Sequence, residues 1–255
     1  MNGRETQLAG VGAAAATRTM KVLAVPVAFN EESKIGRVLD RFVPGLADDV
    51  LVIDDASTDR TPQVITEKGV KIISHQTRQG VGAAIRTAIR YARANGYDII
   101  VILAGNDKDR PTEIPRLIDP IINQGYDFVQ GSRYLPGGDF GNMPFYRQLA
   151  TRVVHPLLFS LLSWRRITDS TNGFRAIRLS IFDDPRINLD QEWLDKYELE
   201  PYIMYQAIKL GYRFREVAVT KIYPPKQLGY TKMKPITGWW SILRPIFLLA
   251  LRIKK

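Results

Sequence analysis

The stretch "ILAGNDKDRP" (102–111) runs an apolar strand straight into Asn106, Asp107, Lys108 and Asp109 and closes on Pro111. Carboxylates at the exit of a buried strand are costly unless something pairs with them. Asn106, Asp107 and Asp109 offer hard oxygen ligands of the kind that hold a divalent cation and leave room for phosphate oxygens. Lys108 would neutralise the charge of the same diphosphate directly, sharing or replacing the metal's role. Two more acidic clusters follow apolar runs: Glu31 in "AFNEE", and Asp54 with Asp55 in "LVIDDASTD". Of the paired aspartates, one can accept a hydrogen bond from a nucleobase N–H while the other orders the turn. Ser57 or Thr58 would then cap the next helix; a capping loop with no ligand is the alternative. "GSRY" (131–134) and "NGFR" (172–175) each place an arginine, Arg133 and Arg175, beside a glycine that lets backbone approach a ligand. Guanidinium groups make forked contacts to phosphate. Together with "KQLGYTK" (226–232) they suggest a site for several phosphates.

The elements that must position these residues alternate. Strand-like runs at 21–29, 49–55, 70–75, 97–105 and 127–134 are separated by helical periods at 31–43, 57–69, 80–96 and 111–124. That order predicts an α/β fold with a mostly parallel sheet and helices on both faces. Ligands of such sheets bind beyond the carboxyl ends of the strands, where all three acidic clusters fall. Packing alone does not explain three acidic strand ends in one layer. Beyond residue 135 come an apolar helix over 145–166, a turn entering a short element at 168–178, and a helix over 197–211. A strand over 212–223 and a final amphipathic helix from 236, broken at Pro245, complete the chain. No repeat or long linker divides it, so the reading is a tail over 1–20, one domain over 21–235 and a basic helix over 236–255.

Composition narrows the chemistry. With no cysteine there is no disulfide framework, thiolate metal site or thiol nucleophile, and the only histidines are His75 and His155. A histidine zinc centre or a serine–histidine triad is therefore disfavoured. The net charge of +10 is uneven, because no acidic residue follows Glu216 while eight lysines and arginines do. An anionic partner is implied, but no recognition motif supports nucleic acid.

Taken together, "FNEE", "LVIDDASTDRTP", "RQGVGAAI", the acidic loop, "GSRY", "NGFRAIR", "YELE", "GYRFREV" and "LGYTKM" make the chain resemble the family 2 glycosyltransferases. The resemblance spans roughly residues 21 to 235 and leans toward the dolichyl- or polyprenyl-phosphate sugar synthases. It implies a GT-A fold and inverting transfer of a sugar from a nucleotide-diphosphate donor to a polyprenyl phosphate, with Mg2+ or Mn2+ as the usual cofactor. By that resemblance Phe29, Glu31, Asp54 and Asp55 face the nucleoside, and Asn106 faces the diphosphate. Arg133, Arg175 and Lys232 lie near the donor diphosphate or the acceptor phosphate. A phosphate acceptor is already an anionic nucleophile, so Glu200 is a structural carboxylate before it is a base. The chain also departs from the family. The usual Asp-x-Asp falls at Ala104-Gly105-Asn106, and a usual proline falls at Val27, one place after Pro26.

Segments 145–166 and 236–253 set tryptophans and leucines beside arginines and lysines, the composition of helices that lie in a membrane interface. Burial of both in the core or in an interface between copies is the alternative. The expectation is a peripheral protein on the cytoplasmic face of the membrane. Rival functions are transfer to a sugar hydroxyl, with Glu200 or Asp169 as base, and a degenerate nucleotide-sugar-binding module. A nucleotidyltransferase would open with a Gly-rich loop where "AFNEE" stands.

Overall fold

The computed structural model describes residues 20–223, 235–251, 253 and 254. The first four strands are β1 (Val22–Ala28), β2 (Asp49–Asp54), β3 (Lys71–Ser74) and β4 (Ile99–Ala104). The others are β5 (Phe128–Ser132), β6 (Asp139–Gly141), β7 (Arg175–Arg178), β8 (Phe214–Ala218) and β9 (Thr220–Tyr223). Seven of them form one sheet in the order β3-β2-β1-β4-β7-β5-β8. Strand β1 is apolar on both faces because both faces are covered. Leu23 and Val25 enter one core cluster, while Val22 and Ala24 enter the other. Helix α3 (Val81–Ala94) and α7 (Leu199–Lys209) cover the first face. Helices α1 (Ile35–Leu39), α2 (Thr61–Glu67) and α4 (Ile114–Gln124) cover the second.

All pairings in the large sheet are parallel except those of β7, which runs antiparallel between β4 and β5. This reversal matters for the site. Arg175, the first residue of β7, sits opposite Ile102 and Gln130 near the carboxyl ends of its neighbours. The loop before β7 therefore joins the edge where the acidic clusters end.

Several expected elements differ in detail. The helix expected over 31–43 shrinks to α1, because both Lys34 and Ile35 donate to the Glu31 carbonyl in a tight turn. Its inward residues Ile35, Val38 and Leu39 are buried as the pattern required. Ser57 and Thr58 do not cap α2, whose N-cap is Arg60 with no side-chain bond. They are used between loops instead: Ser57 Oγ accepts from Asn30 N–H at 2.8 Å, and Thr58 N–H donates to Asn30 Oδ1. The strand expected over 212–223 is two strands. Val219, fully buried, donates to Ser132 and accepts from Asp139, which swings the chain from β8 in the large sheet to β9 paired with β6.

The 145–166 helix is α5 (Phe145–Leu149) and α6 (His155–Ser163) joined by a π-helical turn at Ala150–Val154. It stops at Trp164, which takes a left-handed φ of 58°. The last helix, α8 (Pro235–Ala250), runs through Pro245 and is not broken there. An interior proline costs about 3 kcal/mol in helix propensity. Burial of Ile246 and Leu249 in the core and the Arg244–Glu198 ion pair at 3.4 Å offset it.

His155, at the start of α6, is buried with no partner for Nδ1, and burial pushes its pKa down to about 4, with Asp169 partly opposing. The folded value lies below the ordinary 6.5, so the neutral ring's stability is present above that value and is lost as pH falls toward 4. Between about pH 7 and about pH 5 the loss should be about 2 kcal/mol. Urea unfolding at the two pH values measures it. His155→Phe should flatten this part of the dependence, and an unchanged slope in that variant would refute the assignment.

Candidate active site

At the β1 exit, Asn30 takes a left-handed φ of 50°, and Glu31 is buried with its N–H on Thr61 Oγ1 at 2.7 Å. Its carboxylate pairs with Lys34 at 2.9 Å. At the β2 exit the two aspartates divide their work. Asp54 accepts from the backbone and hydroxyl of Ser57, so it shapes the turn at Ala56. Asp55 accepts from Gln79 N–H and Gly80 N–H, both at 2.8 Å, and contacts His75 Nδ1 at 2.9 Å. The "RQGVGAAI" stretch is explained by that bond. Gly80 adopts φ 109°, and at Gly82 a Cβ would lie 2.0 Å from the Leu194 carbonyl oxygen. Beside them the Arg78 guanidinium lies 3.9 Å from the Phe29 ring centre, within cation–π range.

The β4 exit is braced at both aspartates. Asp107, at φ 63°, is held by Arg37 at 2.8 Å and by Arg41. Asp109 is fully buried, accepting from Ala104 N–H at 3.0 Å and from Lys221 Nζ at 2.6 Å. Ile222 N–H donates to the Lys108 carbonyl, locking the loop to β9. The Lys108 ammonium lies 4.7 Å from the Tyr223 ring centre. Burial lowers its pKa to about 7, helped by Lys221, Arg147 and Lys34 and opposed by Glu31. An anion arriving here meets a crowd of cations.

Arg133 and Arg175 are buried. Arg133 makes a forked pair with Asp169 through Nε at 2.7 Å and Nη2 at 2.8 Å, and its Nη1 donates to Tyr223 Oη at 3.2 Å. Burial opposes the guanidinium's charge, but Asp169 outweighs it and raises the pKa above the ordinary arginine value. Glu216 accepts from Thr168 N–H and Asp169 N–H and so holds the Asp169 loop. Arg175 donates to the Asn172 carbonyl at 2.6 Å and pairs with Glu200 Oε1 at 3.0 Å. Lys232 lies outside the described residues.

The sheet edge thus brings together Glu31, Lys108, Asp109 and Arg133, with Asp54 and Asp55 one strand away and Arg175 with Glu200 behind. Lys221, Tyr223 and Arg147 were not singled out from the sequence. The signal for the first two was present in "TKIY", where period-2 spacing puts them on one face of β9. Arg147, in the first turns of α5, stands 5.2 Å from the Tyr223 ring centre, opposite no acidic partner in its own segment.

The residues expected to hold Mg2+ or Mn2+ do not converge. Such an ion is bound through one or two carboxylates plus waters and substrate phosphates. Asp107 turns to Arg37 and Arg41, Asp109 to Lys221, and Ala104 carries no ligand atom. Asn106 Oδ1, buried without a partner, is the uncharged remainder. Among the described residues no group of three or more histidine or acidic side chains could hold a metal ion.

The sequence profile of Glycosyl transferase family 2 matches residues 24–185. A dolichyl-phosphate hexose transferase of Haloferax volcanii is 31% identical over 88% of this chain and 91% of its own. An undecaprenyl-phosphate mannosyltransferase of Micrococcus luteus is 29% identical over 84% of this chain and 88% of its own. In three dimensions the chain is similar to glucosyl-3-phosphoglycerate synthase of Mycobacterium tuberculosis, crystallised with Mn2+ and UDP. The TM-score is 0.61 at 21% identity, covering 92% of this chain and 81% of that one, which establishes the GT-A fold. With profile, relatives and sheet topology in agreement, the chain belongs to glycosyl transferase family 2 and is a glycosyltransferase.

Proposed function

We propose that the protein transfers a sugar from a nucleotide-diphosphate donor to a polyprenyl phosphate, with inversion, at the cytoplasmic face of a membrane. The nucleoside lies against Phe29, Glu31, Asp54 and Asp55, and the diphosphate faces Asn106 and Lys108. The acceptor phosphate oxygen attacks the anomeric carbon as the bond to the diphosphate breaks, and the nucleoside diphosphate leaves with the electron pair. A phosphate nucleophile has no proton to lose, so the reaction asks for no general base. That suits a site whose carboxylates are committed, Asp169 to Arg133 and Glu200 to Arg175. A sugar hydroxyl would need one of them released.

The observation that carries the acceptor assignment is Arg147. Its guanidinium reaches the Tyr223–Lys108 cluster, while Phe145 and Leu149 on the same helix are exposed. The exposed apolar side continues through Val153, Leu157, Leu161 and Trp164. A molecule with a phosphate head and a long apolar tail fits that continuity, head at the cations and tail along the helix. Arg152, Arg165 and Arg166 border the stripe, and no acidic residue occurs from Phe140 to Thr168. No helix among the described residues is long and apolar enough to cross a membrane, so this reading lays the protein on the lipid surface.

The test is transfer from a panel of radiolabelled UDP- and GDP-sugars to a short polyprenyl phosphate in detergent micelles. The expected product extracts into organic solvent and is labile to mild acid. Label appearing only in free sugar, or only on added oligosaccharide hydroxyls, would overturn the assignment. A protein that binds donor but moves no sugar to any acceptor would be the non-catalytic module.

A further inference from the structure

The altered loop does more than lose a motif. Its carboxylates have become braces: Asp107 ties the loop to Arg37 and Arg41, and Asp109 ties it to Ala104 N–H and to Lys221. A metal could recruit either carboxylate only by stripping cations from it, and Asp109 is buried against its partner. Meanwhile the lysine between them is held by a backbone bond from Ile222 and lies within electrostatic reach of Lys221, Arg147, Lys34 and Glu31. An arriving diphosphate favours the charged form of Lys108 and raises its pKa from about 7, so the counter-charge at this strand end comes from a side chain of the protein itself.

We propose that this glycosyltransferase neutralises the donor diphosphate with the Lys108 ammonium, braced by the Asp109–Lys221 pair, and works without a divalent metal. This inference rests on the glycosyltransferase reading above. As the glycosidic C–O bond breaks, its electron pair passes to the diphosphate oxygen, and the ammonium donates a hydrogen bond to that growing charge without giving up its proton. Preorganised charge of this kind acts most strongly on the transition state, because no solvent must reorganise when the charge develops. The Asp109–Lys221 pair acts through Lys108: it fixes the loop and does not touch the substrate.

The experiment is calorimetric titration of UDP, GDP, CDP and ADP into the full chain, in EDTA and then with Mg2+ or Mn2+. At least one nucleotide should bind with an affinity that metal changes by no more than about threefold, less than 1 kcal/mol. Lys108→Ala should weaken that binding on the order of tenfold or more, the usual cost of a lost charged hydrogen bond. Lys108→Arg should recover part of it. The triple variant Ala104→Asp, Asn106→Asp, Lys108→Ala should acquire metal-dependent binding, with melting curves confirming that each variant is folded. Tenfold tighter wild-type binding with metal overturns the proposal while leaving the transferase reading intact. So does a folded Lys108→Ala that binds as the wild type does. Absence of binding by every nucleotide in every condition overturns both.

Discussion

Replacing Asp169 by alanine is expected to cost roughly 3–5 kcal/mol of stability, because it leaves a buried guanidinium without its counter-charge. Arg133 is buried and cannot shed its proton to escape the penalty. Asp169 itself is wholly buried and supplies both oxygens of the fork, so no solvent stands ready to replace it. Asp169→Asn keeps the volume but removes the charge, and most of the cost should remain. Replacing both partners, Arg133→Met with Asp169→Leu, should recover much of the stability while abolishing transfer, since a paired apolar exchange leaves no charge unsolvated. Urea denaturation of the single and double variants forms the cycle. A loss under about 1 kcal/mol for Asp169→Ala would place the pair in a wetter environment than its geometry implies.

That pair also marks where reading the sequence stops. The strand exits at Glu31, Asp55 and Asn106 were legible because apolar runs of strand length end on polar clusters, a local pattern. The mostly parallel sheet followed from the alternation of strands and helices, and the GT-A fold from the family resemblance. Arg133 was legible as a basic residue beside Gly131, but its partner lies 36 positions away across a loop, and nothing local announces it. The same holds for β7, whose antiparallel insertion between β4 and β5 is a long-range choice. It brings Asn172 and Arg175 to the edge where the acidic clusters end. Asp107 and Asp109 looked equivalent as candidate metal ligands. Their difference arises from α1 and the turn after it, which deliver Arg37 and Arg41 to one, and from β9, which delivers Lys221 to the other. Pro245 misled for a related reason. Propensity is a local quantity, and tertiary burial of the following turn outweighed it.

Membrane docking should depend on α6 far more than on the terminal helix. Leu157 and Leu161 on α6 are 56% and 61% exposed, and Trp164 just past its end is 87% exposed and lines the same surface. Single exposed leucines are ordinary, but a continuous apolar line rimmed by arginines and free of acids is the surface expected of a lipid-facing helix. On α8, Trp240 is exposed too, as are Leu251 and Ile253 just past it, but Ile246 and Leu249 belong to the core and Arg244 is drawn to Glu198. Deleting α8 would therefore open the interior and lose binding for the wrong reason. Leu157→Glu with Leu161→Glu tests the surface alone. The pair should lose about 2–3 kcal/mol of apolar burial. Each added carboxylate near an anionic leaflet should cost about 1 kcal/mol more. Co-sedimentation with vesicles of mixed neutral and anionic lipid should accordingly fall on the order of a thousandfold. Arg152→Gln with Arg166→Gln should mainly flatten the salt dependence, since screening acts on the charged component and not on apolar burial. Unchanged co-sedimentation of the double glutamate variant would remove α6 from the membrane. Dissociation of a dimer by the same variant, measured by sedimentation without lipid, would instead assign the stripe to a second copy of the chain. The tail of the acceptor would then need another path from Arg147.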